Sequence, residues 1–231
     1  MNHSSTTDHS SIESAVSMPE LKAIQLTDLG KRYNREWIFR HVNYLFEAGK
    51  SYAITGPNGS GKSTLLQAIA GSMNLSEGKL EYQSAKSGSA NSIIDPENYY
   101  RHLSIAAPYL ELVEEMTARE FLHFHNQFKP FVTSASIENI LSAISLEKSA
   151  DKQIRYFSSG MKQRVKLAQA IFSDAPVLFL DEPCTNLDTT GYDLYHQLIA
   201  DHCRQKLVIV SSNDAEEMDF CSERLNILDY K

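Results

Sequence analysis

The stretch TGPNGSGKSTLL, residues 55–66, carries the densest chemistry in the chain. Gly56, Gly61, Lys62 and Ser63 satisfy the spacing G-x-x-x-x-G-K-[ST]. Each residue type has a physical task there. Glycines let backbone N–H groups curl around a phosphate. A helix beginning near Gly61 points its positive end at the anion. Lys62 adds a movable ammonium, and Ser63 offers a hydroxyl to Mg²⁺. A triphosphate held this way needs that Mg²⁺, and Mg²⁺ needs a carboxylate. Asp181, at the end of the apolar run VLFLD, is the candidate metal ligand, and Glu182 follows it directly. Successive side chains diverge at a strand end. Asp181 can therefore face the metal while Glu182 faces an attacking water.

Other reactive side chains carry less. His123 and His125 are two residues apart in a helical segment, so they point to nearly opposite faces and cannot share an ion. Cys184, Cys203 and Cys221 have no CxxC spacing. They read as reduced thiols in a cytosolic protein, with Cys184 a small filler beside Glu182.

These groups need a frame that holds them. Residues 21–55 are rich in β-branched and aromatic residues and punctuated by Gly, which predicts strands ending at the phosphate loop. GKSTLLQAIAG predicts a helix closed by Gly71. Residues 79–105 predict more strand around a polar loop, QSAKSGSANS. From Thr117 to about Leu146 the apolar spacing predicts mostly helix. MKQRVKLAQAIF predicts a helix with Val165, Ala168 and Phe172 on one face. YDLYHQLIADHCRQ predicts another. PVLFLDEP and KLVIVSS read as strands buried on both faces of a parallel sheet. Strands alternating with helices argue for an α/β core.

The chain has 231 residues, of which 42% are hydrophobic, enough for one sizeable domain. It carries 29 acidic against 22 basic residues and a net charge of −7, the wrong balance for a nucleic-acid partner. Residues 1–20 are Ser-rich and lack the apolar stretch of a signal peptide, which predicts a flexible tail ahead of one domain over 21–231. No apolar run is long enough to span a membrane.

At this point the sequence resembles the ATP-binding cassette (ABC) ATPases. GPNGSGKST is similar to the family's Walker A loop, FSSGMKQR to its LSGGQ signature, and PVLFLDEPCTNLD to its Walker B strand, catalytic Glu and D-loop. The motifs occur in order, over roughly residues 21–228. The resemblance implies a P-loop NTPase cassette: a parallel core sheet, a small antiparallel β region and a helical lobe over about 110–160. It implies ATP contacts from Gly56, Pro57, Asn58, Gly59, Ser60, Gly61, Lys62, Ser63 and Thr64. It implies Mg²⁺ on Ser63 and Asp181, with Glu182 as the base. Tyr33 matches the aromatic that stacks on adenine, and Asp188 closes the D-loop. Ser158, Ser159 and Gly160 stand in the signature, which in the family meets the ATP held by a second cassette stacked head to tail. Ser158 and Ser159 can also cap a helix beginning near Gly160.

The sequence departs from the family in three places. Phe157, Ser159 and Met161 replace Leu, Gly and Gln of the signature. Pro108 stands where the family has a Gln that touches Mg²⁺ and the attacking water. Asn213 stands where it has a His contacting the γ-phosphate, and Asn can donate a hydrogen bond but cannot carry a proton or a positive charge. The expected activity is slow, Mg-dependent ATP hydrolysis by the cytosolic subunit of a transporter. Its partners would be a like or unlike second cassette and a separate transmembrane subunit. The alternatives are a soluble, non-transport ABC ATPase, or an ATP-gated dimerising module with little turnover.

Overall fold

The computed structural model describes residues 20–86 and 89–231. The Ser-rich tail expected over 1–20 lies outside them apart from Glu20, as do residues 87 and 88 of the polar loop.

Among the described residues, nine strands form two sheets. The first is antiparallel, in the order β2-β1-β4-β5, from β1 (Glu20–Tyr33), β2 (Glu36–Glu47), β4 (Glu77–Lys86) and β5 (Ser89–Ile93). The second is parallel, in the order β6-β7-β8-β3-β9. Its strands are β3 (Ser51–Thr55), β6 (Leu103–Ala106), β7 (Val177–Asp181), β8 (Leu207–Ser211) and β9 (Glu223–Asn226). The chain is therefore α/β, as expected.

Every residue of β7 and β8 is buried, because both faces of the parallel sheet are covered. Their side chains alternate between two cores. Leu178, Leu180, Val208 and Val210 pack with the helices α3 (Ala118–Phe128), α4 (Ile137–Ala143), α5 (Ser159–Ile171) and α6 (Thr189–His202). Val177, Phe179, Leu207 and Ile209 pack with α1 (Lys62–Ile69) and the antiparallel sheet. The period-2 alternation of a strand makes one segment the wall between two layers.

Several boundaries differ from the sequence pattern, each for a local reason. The expected polar loop is mostly strand, since β4 and β5 pair through it, with Ser84 opposite Ser92. The strand expected up to residue 105 is interrupted by a short helix, α2 (Tyr99–His102), in which Tyr99 stacks on Tyr82 at 4.0 Å. The helix expected from Thr117 to about Leu146 is two helices. Pro130 ends the first possibility of continuation, and Ser136 caps the second helix by accepting from the Asn139 N–H at 3.1 Å. A capping box fixes the start of α3: Thr117 accepts from the Glu120 N–H, and Glu120 accepts from the Thr117 N–H. Helix α6 begins three residues ahead of the expected segment because the Asp188 carboxylate caps it, accepting from the Gly191 N–H at 2.9 Å.

Candidate nucleotide site

Four chain segments meet at the carboxyl edge of the parallel sheet, where α/β sheets place their ligands. The loop 56–61 leaves β3 and enters α1 at Lys62. Asp181 ends β7 and pairs in register with Ser211, which ends β8. Ala106 ends β6 opposite Leu180, so Pro108 follows on the same edge.

The loop glycines are there for space. Gly61 has φ 98°, and a Cβ on it would stand 2.3 Å from Ile38 Cγ2. Gly56 has φ 147°, and a Cβ there would stand 2.8 Å from both Ile227 Cγ2 and Ser60 Oγ. Only glycine fits either position without displacing a neighbour. The result is a cleft of about 270 Å³ lined by Ile38, Asn58, Gly59, Gly61, Lys62, Ser63, Thr64 and Glu182.

Lys62 is only 4% exposed. Its ammonium folds back onto the loop, donating to the Gly56 carbonyl at 3.0 Å and the Pro57 carbonyl at 3.3 Å. Those neutral acceptors are weaker partners than phosphate oxygens, so an anion in the cleft can take their place. Ser63 Oγ donates to Asp181 Oδ1 at 3.0 Å across 118 residues of sequence. Burial holds the Asp181 carboxyl above the usual range, while the Ser211 and Ser63 hydroxyls oppose that rise. A hydroxyl and a carboxylate converging at a phosphate cleft are hard oxygen donors, and they fit Mg²⁺. Glu182 adopts φ 43°, rare for a residue with a side chain, and its N–H donates to Ser211 O at 2.9 Å. This bend at the strand end turns Glu182 into the cleft while Asp181 stays buried behind it.

The remaining expected residues divide. Asn213 lies exposed two residues beyond Ser211, on the same sheet edge. Tyr33 stands at the tip of the β1–β2 hairpin, half exposed, with the Lys31 ammonium 5.0 Å from its ring centre. It does not line the cleft; Ile38 of the same hairpin does. Ser158, Ser159 and Gly160 are also away from the cleft. Ser158 caps α5, accepting from the Met161 N–H at 3.2 Å, and Ser159 is already helical. Ser159 lines a different groove, of about 340 Å³, shared with Pro108. A Cβ on Gly160 would stand 3.1 Å from the Asn186 carbonyl, so this glycine lets the 183–188 loop pass close to α5. The Pro108 carbonyl accepts from Lys166 at 2.9 Å.

His123 is exposed, whereas His125 is partly buried with Nε2 3.0 Å from Ser173 Oγ, so the two histidines have separate surroundings. Burial pushes the Cys184, Cys203 and Cys221 thiols up, which leaves little thiolate in any of them.

Sequence spacing missed some residues around the site. Ile38 and Ile227 form the back of the phosphate loop. Burial raises the phenol of Tyr109, beside Pro108; the neighbouring Gln67 side chain opposes that rise, and the charge of Asp181 adds to it. Gln67 is one helical turn beyond Ser63, on the same face of α1. No spacing rule links Tyr109 to α1. Ser211 alone had a readable signal, as the polar end of an apolar strand.

Comparison with known proteins agrees with this geometry. The chain is 32% identical over 162 residues to the cytochrome c biogenesis ATP-binding export protein CcmA of Xylella fastidiosa, covering 70% of this chain and 68% of that one. It is 28% identical over 196 residues to the ABC transporter ATP-binding protein YybJ of Bacillus subtilis, covering 84% of this chain and 87% of that one. Among solved structures, an ABC transporter ATP-binding protein from Pyrococcus furiosus superposes with a TM-score of 0.74 at 19% identity, over 90% of this chain and 99% of that one. Residues 39–185 match the family described as ABC transporter, and the chain belongs to that family, in its class of ATP-binding cassettes.

Proposed function

We propose that this chain is the ATP-hydrolysing subunit of an ABC transporter, working as one of two cassettes on the cytosolic face of a separate membrane subunit. The observation that supports the reading best is the convergence of Lys62, Ser63 and Glu182 on one cleft, with Asp181 buried behind it and hydrogen-bonded to Ser63. Lys62 and the loop N–H groups bind and orient the β- and γ-phosphates. Ser63 and Asp181 hold Mg²⁺, which when bound screens the triphosphate's charge. Glu182 accepts a proton from the attacking water. The family's pairing supplies a reason for the distant placement of Ser158, Ser159 and Gly160: they serve a second cassette's ATP. Among the described residues no helix is long and apolar enough to cross a membrane, and the proposal assigns the membrane path to another chain. The relatives' names include an exporter, which supports transport without fixing its direction here.

A second reading, an ATP-gated dimerising module with little turnover, is favoured by Asn213 and Pro108. Titration with ATP tests what both readings share. Lys62→Ala removes the charge facing the phosphates and should weaken ATP binding at least about tenfold, roughly 1.4 kcal/mol. Equal affinity in mutant and parent would overturn the loop assignment. Steady-state phosphate release by the parent then separates the ATPase from the module.

A further inference from the structure

We infer that Lys231 is a positioning residue for the phosphate loop, acting through the peptide unit between Ser60 and Gly61. Its ammonium donates to the Ser60 carbonyl at 2.6 Å and to the Ile38 carbonyl at 2.7 Å. It therefore ties the phosphate loop to β2, across 171 residues in one direction and 193 in the other.

The consequence follows from peptide geometry. The described residues contain no cis bond, so the Ser60 C=O and the Gly61 N–H point in opposite directions from one planar unit. Holding the carbonyl on the Lys231 side aims the N–H the other way. Gly61 lines the cleft and precedes the first residue of α1, where the backbone N–H groups have no partner within the helix. A glycine at φ 98° resists rotation of this unit less than any other residue would, so an external clamp has something to do.

The neighbours of Lys231 make the clamp rigid. The turn Ile227–Tyr230 is held at its start by the Asn226 side chain, which accepts from the Leu228 N–H at 3.1 Å. Ile227 is fully buried, and Tyr230 packs on the same core as Ile38. Ile227 also closes the space behind Gly56 and Gly61. The loop thus rests on an apolar floor, with one cation fixing the direction of a phosphate-facing N–H.

This inference rests on the nucleotide reading of the cleft, and the test separates the two. ATP and ADP affinities are measured by titration for the parent, Lys231→Met and Lys231→Arg, along with the melting temperature of each without nucleotide. Lys231→Met should bind both nucleotides about tenfold more weakly, with a nucleotide-free melting temperature within a few degrees of the parent. Lys231→Arg keeps charged donors and should recover most of the affinity. Met binding as tightly as the parent would overturn the role of Lys231 and leave the cleft assignment standing. A parent that binds neither nucleotide would overturn both. Should Lys231→Met fail to fold, Lys231→Arg decides: nucleotide affinity close to the parent's supports the clamp, and a tenfold loss in a folded Arg variant overturns it.

Discussion

At the scale of single residues, the proposed site keeps the expected phosphate-loop and carboxylate residues and departs at two expected helpers. Gly56, Gly61, Lys62, Ser63, Asp181 and Glu182 were legible because their chemistry demands fixed types at fixed spacing. The departures were legible too, since Pro108 has no side-chain donor and Asn213 no titratable group. What these departures do depends on surroundings that spacing does not encode. Lys166 holds the Pro108 carbonyl, and the phenol of the next residue, Tyr109, feels both the Gln67 side chain and the charge of Asp181. Removing one preorganised donor to developing charge typically costs about 100- to 1000-fold in rate. Asn213 retains an amide donor and should keep part of that. Asn213→His is expected to raise steady-state phosphate release about tenfold, with ATP affinity unchanged. Flat or lower turnover would show that the site is built around Asn, with groups such as Tyr109 supplying what the family takes from elsewhere.

At the scale of elements, apolar runs and caps decided most of the fold. VLFLD and KLVIVSS could only be buried strands, and both are. Ends were harder. Asp188 reads as part of a motif, yet its carboxylate also sets the start of α6. The segment between α3 and α4 breaks at Pro130, although the apolar spacing continues through it. Here His125 lies against Ser173 and stacks on Phe131 at 5.2 Å. Burial, and then the charge of Lys129, push its imidazole down to about 4. A folded value below the unfolded one means that the unfolded chain takes the proton first as pH falls. The stability tied to neutral His125 is therefore fully present above about 6.5 and is lost as pH drops toward 4. His125→Gln should shrink the fall in melting temperature across that window. The flattening is partial, because His102 and His202 are also pushed down by burial and remain. An unchanged acid slope would mean that His125 charges freely in the folded protein.

At the scale of the whole molecule, two features that the proposal gives to phosphate line different grooves: the cleft at the carboxyl edge of the sheet, and the capped start of α5 at the groove shared with Pro108. The proposed pair gives each of them a nucleotide shared with a second cassette. Glu182→Gln keeps the shape of the side chain and removes the base, so bound ATP should persist. In Mg-ATP this variant is expected to elute as a dimer in size-exclusion chromatography, and as a monomer without nucleotide. A monomer at saturating ATP would sink the paired arrangement for the isolated subunit. The sequence by itself determined the α/β class, the order of the motifs and the phosphate chemistry, because local spacing and burial pattern suffice for these. Tertiary structure alone decided which distant groups serve the loop. Ile38, Ile227, Lys231 and Tyr109 reach the site through sheet order and chain crossing, and their long-range contacts leave no period in the sequence.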